Sequence, residues 1–145
     1  LMFALAYGLQ CLTTTSERFR TDCPAMVKIL EQKWTEYAGG QELQYIGADV
    51  WFSDMFSLYA EHEVKPMIWL NPSNNPWLDA SDFEKKGAFV VATNYQDYMK
   101  YKDKFGEKLT SPQNIKVAYS NFWGKVKVRD IFYGFYNVKE AKNAE

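Results

Sequence analysis

The residues best suited to chemistry are six polar or aromatic side chains in three short stretches. Asp49 lies in "IGADVW", Asn71, Asn74, Asn75 and Trp77 share "NPSNNPW", and Asn94 lies in "ATNYQ". One carboxylate, four amides and an indole, with the neighbouring Tyr95 ring, suit a neutral polar ligand such as a sugar. Amides and the acid would bond hydroxyl groups, and a ring face would cover the apolar side of the ligand. The same residues also have a structural reading. Asp49 and Asn94 are good helix caps, and Asn-Pro pairs are ordinary turn formers.

Other chemistries fit less well. His62 is the one histidine, and "EHE" (61–63) reads as a solvated turn rather than a metal site. A Ser–His–Asp or Cys–His arrangement would have to use that same histidine, and no G-x-S-x-G elbow presents a serine. Neither the G-x-G-x-x-G fingerprint nor a P-loop occurs, so a nucleotide phosphate has no glycine cradle. The carboxylate pairs Asp79/Asp82 and Asp49/Asp54 have helix-surface spacing. The residues therefore assign no catalytic group, no metal and no cofactor, and they argue against a self-contained hydrolase or transferase.

The six residues can meet only if the right elements carry them. Val27, Leu30, Trp34 and Tyr37 recur at helical steps after Pro24, and Gly39-Gly40 ends that helix. A strand is expected over 43–48, a helix over 49–63 capped by Asp49, and a strand over 64–70 with Pro66 near its start. Ser81 and Glu84 fit a capping box opening a short helix that Gly87 closes. The unbroken apolar run 88–93 predicts a strand buried on both faces. Asn94 then caps a helix striped by Tyr98, Tyr101 and Phe105. Two strands follow, near 114–120 and 125–137, with "FWGK" between them. A change of apolar parity at Asp130 predicts a bulge.

Alternating strands and helices imply right-handed crossovers. The fold class expected is α/β: a three-layer Rossmann-like sandwich with parallel central strands and an antiparallel C-terminal strand pair. In such a sheet ligands gather at the carboxyl ends of the strands. The turns at Asp49, at 71–77 and at Asn94 would then share one rim.

The bulk composition agrees. A chain of 145 residues with 47% apolar content suits one domain with one core. A net charge of −1, with no basic stripe, argues against a nucleic-acid partner. Cys11 and Cys23 could pair in an oxidising compartment, but their spacing does not demand it. The apolar stretch "LMFALAYGLQCL" (1–12) reads equally as the end of a membrane helix or as an edge strand. Residues 1–17 are therefore set apart, with a connector, from a single α/β domain over 18–145.

Three stretches taken together resemble a known family: "RFRTDCPAMVKILEQKW", "LQYIGADVWFSDMFSLYAEHEVKPMIW" and "NNPWLDASDFEKKGAFVV". Their order and spacing resemble the soluble C-terminal region of bacterial membrane glycosyltransferases of family 39. These are relatives of the dolichyl-phosphate-mannose protein mannosyltransferases and the aminoarabinose transferases. The likeness covers roughly residues 18 to 93. It departs from the pattern at Cys23, where an aromatic residue is usual, and at Phe52-Ser53, where a small one is.

The resemblance implies a non-catalytic domain on the periplasmic or extracytoplasmic side of the inner membrane. It would be anchored through an N-terminal membrane region that precedes this stretch. The parent enzyme would move a sugar from a polyprenyl-phosphate carrier, with a catalytic acid outside this chain. Implied partners are the membrane-embedded part of the same polypeptide and a glycan or polyprenyl-phosphate sugar. The alternative is a structural or protein-interaction module with no ligand site of its own.

Overall fold

The computed structural model describes residues 21–120 and 125–139. The expectations for residues 1–17, for a Cys11 partner and for most of the turn at 122–125 lie outside the described residues.

The first helix, α1 (Cys23–Ala38), begins where Asp22 accepts a hydrogen bond from the Ala25 N–H at 3.1 Å. Pro24 occupies its first turn, and Gly39 closes it in the left-handed conformation. Three parallel strands follow: β1 (Tyr45–Ala48), β2 (Lys65–Ile68) and β3 (Ala88–Ala92). Between them stand α2 (Val50–Tyr59) and the short α3 (Ala80–Lys86). Then come α4 (Tyr95–Phe105) and the antiparallel pair β4 (Gln113–Ser120) and β5 (Val126–Tyr136). The sheet order is β2-β1-β3-β5-β4, with β5 antiparallel to β3. Thr21 makes an isolated antiparallel bridge to Tyr119 of β4. The described residues thus form a mixed α/β fold with a five-stranded mixed sheet and four α-helices.

Strand alternation sorts the core into two clusters. Ile46, Ala48, Phe89, Val91, Ile131, Tyr133 and Phe135 pack with Trp34 and Leu30 of α1 and with Phe52 and Phe56 of α2. Tyr45, Met67, Val90 and Tyr136 pack with Phe83 of α3 and with Tyr98 and Tyr101 of α4. β3 is buried at all five positions because both clusters need it. Among the described residues, no helix is long and apolar enough to cross a membrane.

Four local expectations are corrected. Helix α2 stops at Tyr59 rather than Glu63, and β2 stops at Ile68 rather than Leu70. Asp79, not Ser81, caps α3, because the carboxylate accepts from both Ser81 N and Asp82 N. Glu84, freed from a capping box, pairs with Lys108 at 3.0 Å and accepts from the Tyr136 hydroxyl. No bulge occurs at Asp130. The β4–β5 register runs unbroken from Gln113↔Tyr133 to Ser120↔Val126. The parity change has another cause: near the hairpin tip Val126 and Val128 lie on the Phe132 and Tyr136 side of the strand and remain exposed.

Candidate functional site

Parallel β1, β2 and β3 send their outgoing turns to one edge of the sheet. Asp49, Asn71 and Asn94 follow those strands, but each side chain is turned onto its own backbone. Asp49 Oδ1 accepts from Phe52 N at 2.9 Å. Asn71 Oδ1 accepts from Ser73 N at 3.0 Å, closing the 3-10 turn Pro72–Asn74. Asn94 Oδ1 accepts from Asp97 N at 2.8 Å, and its Nδ2 donates to Asp97 Oδ2 at 2.7 Å. The Lys100 ammonium and this Asn94 amide hold the Asp97 carboxyl below its usual range. This edge also offers apolar surface to solvent: Val50, Trp69 and Tyr95, one after each strand, are about half exposed.

The chain leaves β2 by an unusual turn. Trp69 and Leu70 have φ of 57° and 49°, and Asn71 N donates to Ile68 O at 3.3 Å. Left-handed backbone costs a residue with a Cβ roughly 1–2 kcal/mol, so something must hold it. Leu70 is buried over Gly47, so closely that a Cβ added to Gly47 would lie 2.2 Å from Leu70 Cδ2. Lys104 Nζ donates to the Leu70 carbonyl at 3.1 Å. The turn thereby reverses the chain and sends it back toward the amino end of β2.

Asn75 fixes the returning segment. It is only 1% exposed. Its Oδ1 accepts from Ile68 N at 3.1 Å, and its Nδ2 donates to Ile68 O at 3.1 Å and to Asn71 O at 2.8 Å. β2 is an edge strand, and Lys65 and Trp69 point their N–H groups inward to Gln44 O and Ala48 O. Pro66 and Ile68 therefore face outward. Pro66 has no N–H to satisfy, and Asn75 satisfies Ile68. Asn74 is exposed in the 3-10 turn.

This path carries Trp77 away from Asp49 and Asn94. Its indole, 67% exposed, borders a cleft of about 440 Å³ at the amino ends of β1 and β2. Glu63, Lys65, Tyr45, Asp79 and Asp82 supply the polar lining. Tyr45 Oη donates to Asp82 Oδ2 at 2.6 Å, and Lys86 Nζ reaches the same oxygen at 2.9 Å. These two partners hold the Asp82 carboxyl below its usual range. Burial, then the Asp82 hydrogen bond, pushes Tyr45 up to about 12. Lys65 Nζ stands 5.9 Å from the Tyr45 ring centre. Asp79 Oδ1 accepts from Ser81 N at 2.8 Å and Asp82 N at 3.3 Å, which leaves Oδ2 uncommitted among the described residues. A larger groove of about 570 Å³ lies against α1, but polar side chains such as Lys28, Glu31 and Glu36 line it and no ring does.

The cleft combines an exposed ring, carboxylate acceptors and one ammonium. Such a set can bind a polyhydroxylated molecule by stacking and hydrogen bonds. It is poorly set for proton transfer near neutrality, since Tyr45 stays protonated and Asp82 ionised. Of the six residues singled out from the sequence, the cleft contains Trp77 alone. Tyr45, Glu63, Lys65, Asp79 and Asp82 were missed. The strand starts placed Tyr45 and Lys65 at one end of the sheet, but nothing in "IWLN" signals the reversal that brings Trp77 there.

Comparison of the chain with protein-family models, with curated proteins and with solved structures gave no match.

Proposed function

We propose that this chain is a non-catalytic, extracytoplasmic domain of a family 39-type membrane glycosyltransferase, and that its Trp77 cleft recognises a sugar-bearing ligand. The scaffold in this reading is a three-layer, Rossmann-like sandwich with an antiparallel C-terminal pair. The parent enzyme would transfer sugar from a polyprenyl-phosphate carrier, and this domain would aid acceptor or carrier recognition beside the membrane-embedded part of its polypeptide. The observation that carries the reading is the exposed Trp77 indole next to Asp79, Asp82 and Lys65. A solvent-facing indole costs hydrophobic free energy that ligand stacking would recover. The likeness over residues 18–93 supplies the family.

Calorimetric titration with methyl glycosides and farnesyl phosphate tests it. Binding should be weak, on the order of millimolar, and absent from Trp77→Ala. A flat response to every ligand in the parent chain would end the reading.

One observation favours a protein-contact module instead. Val50, Trp69 and Tyr95 put an apolar residue at the exit of each parallel strand. Cross-linking from those positions to other parts of the full-length polypeptide, with glycoside binding absent, would support that alternative.

A further inference from the structure

Resting on the reading of the Trp77 cleft as a sugar site, we infer that it takes a neutral saccharide through its free hydroxyls and rejects the phosphate of a polyprenyl-phosphate carrier. Three carboxylates line the cleft, those of Glu63, Asp79 and Asp82. Among the described residues, Lys65 is the ammonium that lines the cleft, and the neighbouring Lys86 is already committed to Asp82. That leaves Lys65, among the described residues, as the cation able to meet a ligand in the cleft. A phosphate needs several donors and a positive field, and here it would face like charges.

The start of α3 is closed to an anion. The first N–H groups of α3, at Ser81 and Asp82, point to Asp79 Oδ1. The helix start thus carries its own carboxylate, in the place an incoming phosphate oxygen would take. The apolar lining is also small. Beyond the Trp77 ring, Val64, Pro66 and Leu78 contribute it, and Val64 is buried. This is too little surface for a polyprenyl tail.

A neutral sugar meets none of these objections. Each hydroxyl is both donor and acceptor. Adjacent hydroxyls can donate to Asp79 Oδ2 and to the Asp82 oxygen not bonded to Tyr45. Lys65 can donate to a ring or hydroxyl oxygen, and the C–H face of the ring can lie on Trp77. The ligand is then the glycan or acceptor sugar rather than the carrier's phosphate end.

The test follows the indole N–H resonances of the isotope-labelled full chain, with Trp77 assigned by Trp77→Phe. Probes are methyl mannoside, methyl glucoside, farnesyl phosphate and inorganic phosphate. A methyl glycoside should shift the Trp77 resonance saturably, and neither phosphate should. Asp79→Asn keeps a capping oxygen, so the helix stays intact. It should weaken glycoside binding roughly tenfold, as expected for losing one hydrogen bond to a charged group. Asp82→Asn provides a second removal of charge.

A shift of Trp77 by either phosphate at or below the glycoside concentration would overturn the inference while leaving carrier recognition standing. Unchanged glycoside affinity in both Asn variants would overturn it too. If no probe moves Trp77, the sugar-site reading falls and takes the inference with it.

Discussion

The side-chain amide of Asn75 completes the free edge of the sheet by making two hydrogen bonds to the backbone of Ile68, each 3.1 Å long. It behaves as a one-residue extra strand on β2. Removing it leaves the half-buried Ile68 N–H without a partner, whereas the Ile68 carbonyl keeps the Asn71 N–H and the Asn71 carbonyl keeps the Asn74 N–H. Asn75→Ala should therefore cost about 1–3 kcal/mol, from one orphaned donor. Denaturant unfolding measures this directly. A loss below about 0.5 kcal/mol would show that water replaces the amide freely.

Gly47 and Leu70 should be energetically coupled. Gly47→Ala places a methyl group on Leu70 Cδ2, and Leu70 sits in a left-handed turn that cannot easily yield. Overpacking of this kind costs roughly 1–3 kcal/mol. In a Leu70→Ala background the same change should cost much less. A double-mutant cycle in which the two losses simply add would contradict the packing described for this turn.

The cap of α3 separates two residues that are close in sequence. Asp79→Ala should destabilise by about 1 kcal/mol, while Ser81→Ala should change stability by less than about 0.5 kcal/mol. The reverse ranking in thermal melts would restore the Ser81–Glu84 capping box.

Stability should fall in strong alkali. Burial pushes Tyr98 and Tyr101 up to about 12, and burial with the Asp82 bond does the same for Tyr45. A raised folded value means the protonated form is favoured in the native state. Stability from these groups is thus complete below the unfolded tyrosine value of about 10 and is lost as pH rises from there toward 12. For buried Tyr98 the difference corresponds to roughly 2–3 kcal/mol. Asp82, Glu84 and Asp97 work in the opposite sense, since their folded values are lowered. Their contribution is present above pH of about 4 and fades as pH falls below it. Melting temperatures across pH should show a plateau with both shoulders. A midpoint unchanged between pH 9 and pH 11.5 would refute the tyrosine contribution.

Much of the scaffold was legible because its signals are local. The stripe Val27, Leu30, Trp34 marks α1, the glycine pair marks its end, and the run 88–93 marks a strand buried from both sides. Asp49 and Asn94 were legible as caps. The site was less legible because it depends on one turn. Trp69 and Leu70 adopt a conformation usually assigned to glycine or asparagine, and what stabilises it is distant in sequence: Gly47 beneath and Lys104 beside. Without that reversal, Trp77 would be expected beside Asn94. The apparent bulge at Asp130 misled for a related reason: which face of a strand is apolar depends on what covers it.

The most direct test of the central claim compares glycoside affinity in two single variants. Trp77→Ala alters the cleft at the amino end of β2, and Asn94→Ser alters the opposite edge while keeping a capping oxygen. The cleft assignment predicts that methyl glycoside binding disappears in Trp77→Ala and stays within about twofold of the parent in Asn94→Ser, a difference of less than ~0.5 kcal/mol. Binding that survives in Trp77→Ala and is lost in Asn94→Ser would move the site to the carboxyl edge and contradict the assignment.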